Sequence, residues 1–385
     1  MKTPTNSAAV EKVQERLNRR LIEHTRFDEA LQRIESELRF PTDTKILLVV
    51  GPTGVGKTRL RKAVEKLIFD LTAQKLIEDR GCVPFVSFEI ACASTSYRFN
   101  WRQFYEDYME QLEAPFTPTG AALSSLPLVD GHRGPEHAVL SALRHRRPVA
   151  ALLDEANHFA VVASGKVLLE QMTRIKSFAN RSGVLHICFG TYELAQMANL
   201  SGQLARRCEI IHFARYRSAS ESESDFAAFK KVARTFHGCV PGAVDLDLGS
   251  RAEYLHQRSI GCVGILKTWL VKALGHAMKN GRKEIKFSDL EDTAMPVDRL
   301  QRILNETIEG EASLRETQEE MDVFLSDLGH KEPKEPDAPP QGELFGHSPA
   351  IGAIPGKPAR NPGEPAAKRY PSGGAFNGQL GKMAV

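Results

Sequence analysis

Residues 45–58 read KILLVVGPTGVGKT, and no other stretch restricts the fold as tightly. A short apolar run without a polar face reads as a strand buried on both sides, which calls for a parallel sheet covered by helices. The G-x-x-x-x-G-K-T string that ends it is a phosphate-cradling loop when it follows a strand and opens a helix. Chance supplies such a string in on the order of one chain in a hundred of this length, before that context is required. Glycines let backbone N–H groups wrap phosphate oxygens, and the helix N-terminus adds a favourable dipole. On this reading Gly51, Pro52, Thr53, Gly54, Val55, Gly56, Lys57, Thr58 and Arg59 bind a nucleotide. Lys57 reaches the β- and γ-phosphates, and the Thr58 hydroxyl ligates magnesium.

Such a loop needs a carboxylate for the metal at the end of a neighbouring buried strand. Residues 150–155, AALLDE, supply it about a hundred positions later. Asp154 holds the magnesium shell and Glu155 polarises the attacking water, since hydrolysis requires more than binding. The implied cofactors are ATP and Mg2+.

The remaining pattern alternates. Residues 83–90, 149–153, 184–189 and 209–213 read as further strands, while 8–38, 59–74 and 165–179 carry helical spacing. The fold class is α/β, a parallel sheet sandwiched by helices. From about 220 to 293 only helical patterns remain, so a small helical lid is expected. The expected divisions are an N-terminal helical segment at 1–38, the α/β nucleotide-binding domain at 39–216, the lid at 217–300, a C-terminal helix at 301–330, and a tail at 331–385. The tail holds 10 prolines and 9 glycines and cannot bury enough apolar surface to order itself.

Composition excludes other classes. With 42% hydrophobic and 26% charged residues, the 385-residue chain is neither collagen, coiled-coil rod nor wholly disordered. Lys and Arg number 51 against 48 Asp and Glu, a net +3 that does not announce a nucleic-acid binder. Six cysteines form no C-x-x-C pair, which suits reduced thiols in a cytosolic protein. The first residues are too polar for a signal peptide, and no apolar run approaches the ~18 residues of a membrane span. A cytoplasmic protein without membrane contact, associated with the nucleoid when on DNA, is expected.

The strings GPTGVGKT, ALLDEANH, HICFGTYEL and QLARRCEIIHF, in this order, resemble an AAA+ ATPase. Within that superfamily the chain resembles the TnsC and TniB group of transposition regulators, on softer cues such as LARRCEIIHF and SIGCVGILKTWL. The resemblance implies that Thr191 senses the γ-phosphate. It also implies that Arg207, with Arg206 as the competing choice, is an arginine finger entering a neighbouring subunit's site, which demands a homo-oligomer, as a ring or helical filament. Lys267, near Gly261 and Gly264, falls where the family's lid helix touches nucleotide, although an arginine is commoner there. The glycines have a second reading, close helix packing.

Pore-facing loops of the resembled family track duplex backbone, which makes Tyr97, Arg98, Arg102 and Arg133 candidates for phosphate contacts on double-stranded DNA. Against this, Phe99, Trp101, Phe104 and Tyr108 have the spacing of a helix face packed on the core. Arg144, His145, Arg146 and Arg147 suit a solvated helix end. Weak contacts suffice if many subunits line one duplex, because each neutralised phosphate adds a salt-dependent increment. The resemblance implies a transposase and a target-selection protein as partners. Nothing in the chain resembles the three-carboxylate constellation of a transposase. Two other functions fit the same nucleotide motifs: a helicase loader or initiator, and a signalling or defence NTPase acting through protein contacts. An initiator would ordinarily carry a DNA-reading domain after the lid.

Overall fold

The computed structural model describes residues 24–92, 99–113, 134–159, 166–198, 202–238, 247–282, 284–315 and 317–329. The chain divides into two compact units, residues 1–322 and 323–385. Within the first, five strands form one sheet: β1 (Ile46–Val50), β2 (Phe85–Glu89), β3 (Ala150–Asp154), β4 (Leu185–Gly190) and β5 (Cys208–His212). Their order is β2-β3-β4-β1-β5, with every neighbouring pair parallel. The five runs expected to be strands are these five.

β1 sits between β4 and β5, and all five of its side chains are buried. Successive side chains of a strand point to opposite faces, so Leu47 and Val49 enter one core while Ile46, Leu48 and Val50 enter the other. The Leu47 face is covered by α1 (Thr25–Arg39) and α2 (Lys57–Glu78), through Phe27, Ile34, Leu60, Val64 and Ile68. The Ile46 face is covered by α3 (Trp101–Glu113), α4 (Pro135–Arg146) and α5 (Lys166–Ser182), through Tyr108, Leu140 and Phe178. Fully burying each such side chain contributes about 1.5–3 kcal/mol. The aromatic stretch that competed as a DNA element belongs to this core: Phe99, Phe104 and Tyr108 are buried, with Trp101 packed against them. Arg144, His145 and Arg147 are exposed at the end of α4, the solvated helix end expected of them.

Short helices α6 (Glu193–Ala198) and α7 (Gly202–Ala205) connect β4 to β5. Beyond β5 the strands stop. Helices α8 (Glu223–His237), α9 (Ala252–Ser259), α10 (Val263–Lys279) and α11 (Phe287–Thr293) build a second core from Phe229, Phe236, Leu255, Trp269 and Leu270. The Trp269 indole N–H donates to Leu290 O at 3.0 Å, satisfying the one polar atom of that buried ring.

Two helices occupy the region expected to hold one, α12 (Val297–Ser313) and α13 (Gln318–Asp327). A capping box begins the second: Glu320 N donates to Thr317 Oγ1 at 3.2 Å, and Thr317 N to Glu320 Oε2 at 2.9 Å. α12 returns to the sheet domain, where Arg215 Nε lies 3.1 Å from Glu311 Oε1, both side chains nearly buried. Cys82, Cys188 and Cys262 are buried, and with Cys92 and Cys208 they are free thiols. No helix among the described residues is long and apolar enough to cross a membrane. The expected tail at 331–385 and the first part of the N-terminal segment lie outside the described residues.

Candidate functional site

At the C-terminal edge of the sheet a cavity of about 680 Å3 is lined by the loop after β1, the segment after β3, the residue after β4, the start of α1 and the lid. The loop's course depends on glycine at two points. Gly54 (φ +79) and Gly56 (φ +122) occupy backbone regions that side chains resist. Gly56 is the N-cap of α2, so the first N–H groups of that helix face the loop's concavity. Lys57 Nζ donates to Gly51 O at 2.9 Å and Pro52 O at 3.0 Å, so the ammonium folds onto its own loop. Burial pushes its pKa down, opposed by the charges of Glu155 and Asp154.

β3 delivers the acidic pair. Asp154 is its last residue, 4% exposed. Oδ1 accepts from Glu155 N at 3.0 Å and Oδ2 from Arg61 Nε at 3.1 Å. Glu155 lines the cavity with φ +50, a left-handed backbone uncommon for a residue with a Cβ. Two buried oxygens lining the same cavity lack partners among the described residues, Thr191 Oγ1 just past β4 and Asn157 Oδ1 in the turn after Glu155. A buried polar atom left unpaired costs about 1–3 kcal/mol, so this pair marks where a polar ligand or water belongs.

The lid and α1 close the other side. Ile265 N donates to Gly54 O at 3.1 Å, and a Cβ on Gly264 would stand 2.4 Å from that same oxygen. Gly264 therefore allows α10 to touch the phosphate loop, which is the packing reading of that glycine. Gly261 (φ +73) has Tyr216 O 1.9 Å from where its Cβ would be. Lys267, one turn further along α10, lines the cavity; burial lowers its pKa, and the charges of Arg59 and Lys62 lower it further. His24, Phe27, Phe236, Val263 and Val271 make an aromatic and apolar end to the cavity. α1 is clamped to the lid there by Arg26, which donates to both Asp225 oxygens at 2.8 and 2.9 Å.

The structure thus brings together the loop residues, Glu155, Thr191 and Lys267, with Asp154 directly behind them. It does not bring Arg206 or Arg207 to them. Both precede β5, at the opposite edge of the sheet, about 16 Å of strand away. Arg206 is 77% exposed and 3.4 Å from Asp43; Arg207 donates to Asn180 Oδ1 at 3.2 Å. Arg102 is an exposed residue of α3 paired with Glu106 at 2.8 Å. Tyr97, Arg98 and Arg133 lie outside the described residues. Sequence reasoning missed Asn157, three positions after Asp154, and Arg61, one helical turn after Lys57; the i, i+4 spacing of the latter was the available signal.

A five-stranded parallel sheet flanked by helices, with this loop after β1 and an acidic pair after β3, is the α/β fold of AAA+ P-loop ATPases. Residues 41–198 match the family described as AAA domain. Among solved structures, the chain is similar to a Walker-type ATPase of Pyrococcus abyssi, at 14% identity and TM-score 0.42, covering 81% of this chain and 77% of that one. It is similar to the Aeropyrum pernix ORC2 protein in ADPNP–ADP complexes, at 11% identity and TM-score 0.45, covering 71% and 68%. A third is Drosophila ORC bound to DNA, at 13% identity and TM-score 0.42, covering 86% and 82%. No curated protein matches the sequence.

Proposed function

We propose that this protein is an ATP-dependent switch that assembles on double-stranded DNA and recruits or activates a transposase, with hydrolysis releasing the assembly. The observation that carries the switch is the convergence on one cavity of the phosphate loop, Glu155, Thr191 and the lid's Lys267. Phosphates enter the loop and the N-terminus of α2, and Lys57 exchanges two carbonyls of its own loop for β- and γ-oxygens. Thr191 donates its hydroxyl to the terminal phosphate, ending its lack of a partner. Glu155 polarises the attacking water, with Asn157 Oδ1 accepting from it. Lys267 adds charge from the lid, and the apolar end between Phe27 and Val263 receives the base.

The residues fit a magnesium ion. Thr58 and Asp154 are hard oxygen donors, as suits an ion whose other ligands are phosphate and water. When bound there, magnesium neutralises charge developing on the phosphates. Arg207, or Arg206, completes the site of a neighbouring copy, a contribution of about 10³–10⁵ in turnover. The transposition reading is supported by the order of the motifs and by LARRCEIIHF and SIGCVGILKTWL.

The test is DNA binding and particle size with ATP, ADP and ADPNP. ATP should produce large particles on duplex DNA that ADP does not. Lys57→Ala should abolish them, and Glu155→Gln should bind ATP and lock the assembled state. Nucleotide-independent monomers that ignore duplex DNA overturn the switch, and normal hydrolysis by Glu155→Gln removes its role. A replicative helicase or a toxin effector as the encoded neighbour, in place of a transposase, overturns the transposition assignment.

A further inference from the structure

Asp154 is a shared carboxylate. Each carboxylate oxygen already accepts a hydrogen bond, Oδ1 from Glu155 N at 3.0 Å and Oδ2 from Arg61 Nε at 3.1 Å. Arg61 is itself held rigidly. Its NH1 donates to Glu65 Oε1 at 2.7 Å and to the Ser87 hydroxyl, and Ser87 Oγ donates to Glu65 Oε1 at 2.6 Å. The network joins α2, β2 and β3, with the Arg61 and Asp154 side chains 16% and 6% exposed. The guanidinium balances one charge against two carboxylates. Delete it, and Asp154 and Glu65 face each other across a poorly solvated gap with a net charge that a divalent cation would satisfy.

We propose that Arg61 is a positioning residue of the metal site: it holds Asp154 as a shared, part-neutralised carboxylate, so that a divalent cation is captured with the nucleotide and not in its absence. The consequence is order. An aspartate free to take a cation alone would leave Mg2+ at the empty loop, and the cation would have to shed bound water before phosphate oxygens could ligate it. With Arg61 in place, the cation gains enough ligands only when phosphate oxygens arrive. Arginine suits this role because its planar fork bridges three acceptors at fixed geometry, whereas a lysine is a mobile point charge. The inference rests on the reading of Asp154 as the metal carboxylate of a nucleotide site.

The experiment measures Mn2+ binding by electron paramagnetic resonance in the full chain, with and without ADPNP. The wild type should bind Mn2+ weakly alone and far more tightly with ADPNP. In Arg61→Gln the affinity for Mn2+ alone should rise at least about tenfold, shrinking the gain that ADPNP confers. Arg61→Lys should shift it in the same direction by less, about threefold, and it decides the matter if Arg61→Gln does not fold. Asp154→Asn on top of Arg61→Gln should erase the gained site. A folded Arg61 variant whose nucleotide-free Mn2+ affinity is unchanged or weaker overturns the proposal, as does a gained site that survives Asp154→Asn. Binding of a fluorescent ADP in EDTA, lost in Lys57→Ala, separates the two failures: if it holds while Mn2+ ignores Arg61, only this inference falls; if it is absent, the nucleotide reading falls with it.

Discussion

His24 spends a ring nitrogen on a contact that a second proton would spoil, and His186 has a buried ring nitrogen with no acceptor among the described residues for a second proton. His24 is the N-cap of α1, where Nδ1 accepts from Phe27 N at 3.3 Å and lies 2.9 Å from the Tyr216 hydroxyl. His186 donates Nδ1–H to Val184 O at 2.8 Å, leaving a buried Nε2 without a partner. Burial pushes both pKa values down to about 4 from an ordinary 6.5. In the unfolded chain the same groups take up protons near 6.5, so between pH 6.5 and 4 the unfolded state binds more protons. Stability is fully present above that window and is lost as pH falls through it. Thermal melts at pH 7.5, 6 and 5 should show a falling midpoint, steepest below 6.5; a midpoint constant from 7.5 to 4.5 contradicts this assignment.

Among the helices, three glycines separate close packing from mere permissiveness. Gly264→Ala drives a Cβ against Gly54 O, and Gly310→Ala drives one to 2.1 Å from the Tyr192 ring, whose hydroxyl pairs with His212 Nε2 at 3.0 Å. Each should cost about 1–3 kcal/mol in urea unfolding. Gly264→Ala should also weaken nucleotide binding, because α10 touches the loop, whereas Gly310→Ala acts where α12 meets the residue after Thr191. Gly275→Ala, in the same helix as Gly264 but with nothing within 4 Å, should be neutral or stabilising by up to about 1 kcal/mol. Equal effects at 264 and 275 would refute the packing argument. For Gly264 the sequence offered close helix packing as a second reading, but it named no partner atom and said nothing to separate Gly275 from Gly310. Helical periodicity marked a run of helices after the sheet, but not which face meets the loop.

For the whole molecule the decisive distance is the one between Arg206 or Arg207 and this chain's own cavity, a full strand length across the sheet. On the proposed reading, a finger at either position can act only in trans. Arg207→Ala and Glu155→Gln should therefore each lose ATPase activity alone and recover part of it when mixed, since a mixed interface pairs an intact finger with an intact carboxylate. No recovery, with assembly confirmed by light scattering, would remove Arg207 from the interface; repeating the mix with Arg206→Ala tests its neighbour. A net charge of +3 spread over 385 residues offers little long-range attraction to DNA. Affinity that depends on assembly should fall steeply with salt, by about 0.9 decades per contacted phosphate for each decade of salt.

Local chemistry alone determined the loop, the acidic pair, the five strands and the run of helices after them. Phosphate binding needs glycines and a lysine at fixed spacing, and a strand buried on both faces must be apolar at every position, so both leave marks in consecutive residues. Only the tertiary structure decided that Arg61 occupies Asp154, that Asn157 and Thr191 present unpaired oxygens to one cavity, that α1 and the lid close its apolar end, and that α12 returns to seat Gly310 on Tyr192. Those facts join residues up to 199 positions apart, as between Arg26 and Asp225. Contacts of that range are set by how layers pack, and packing leaves no periodic signal in the chain.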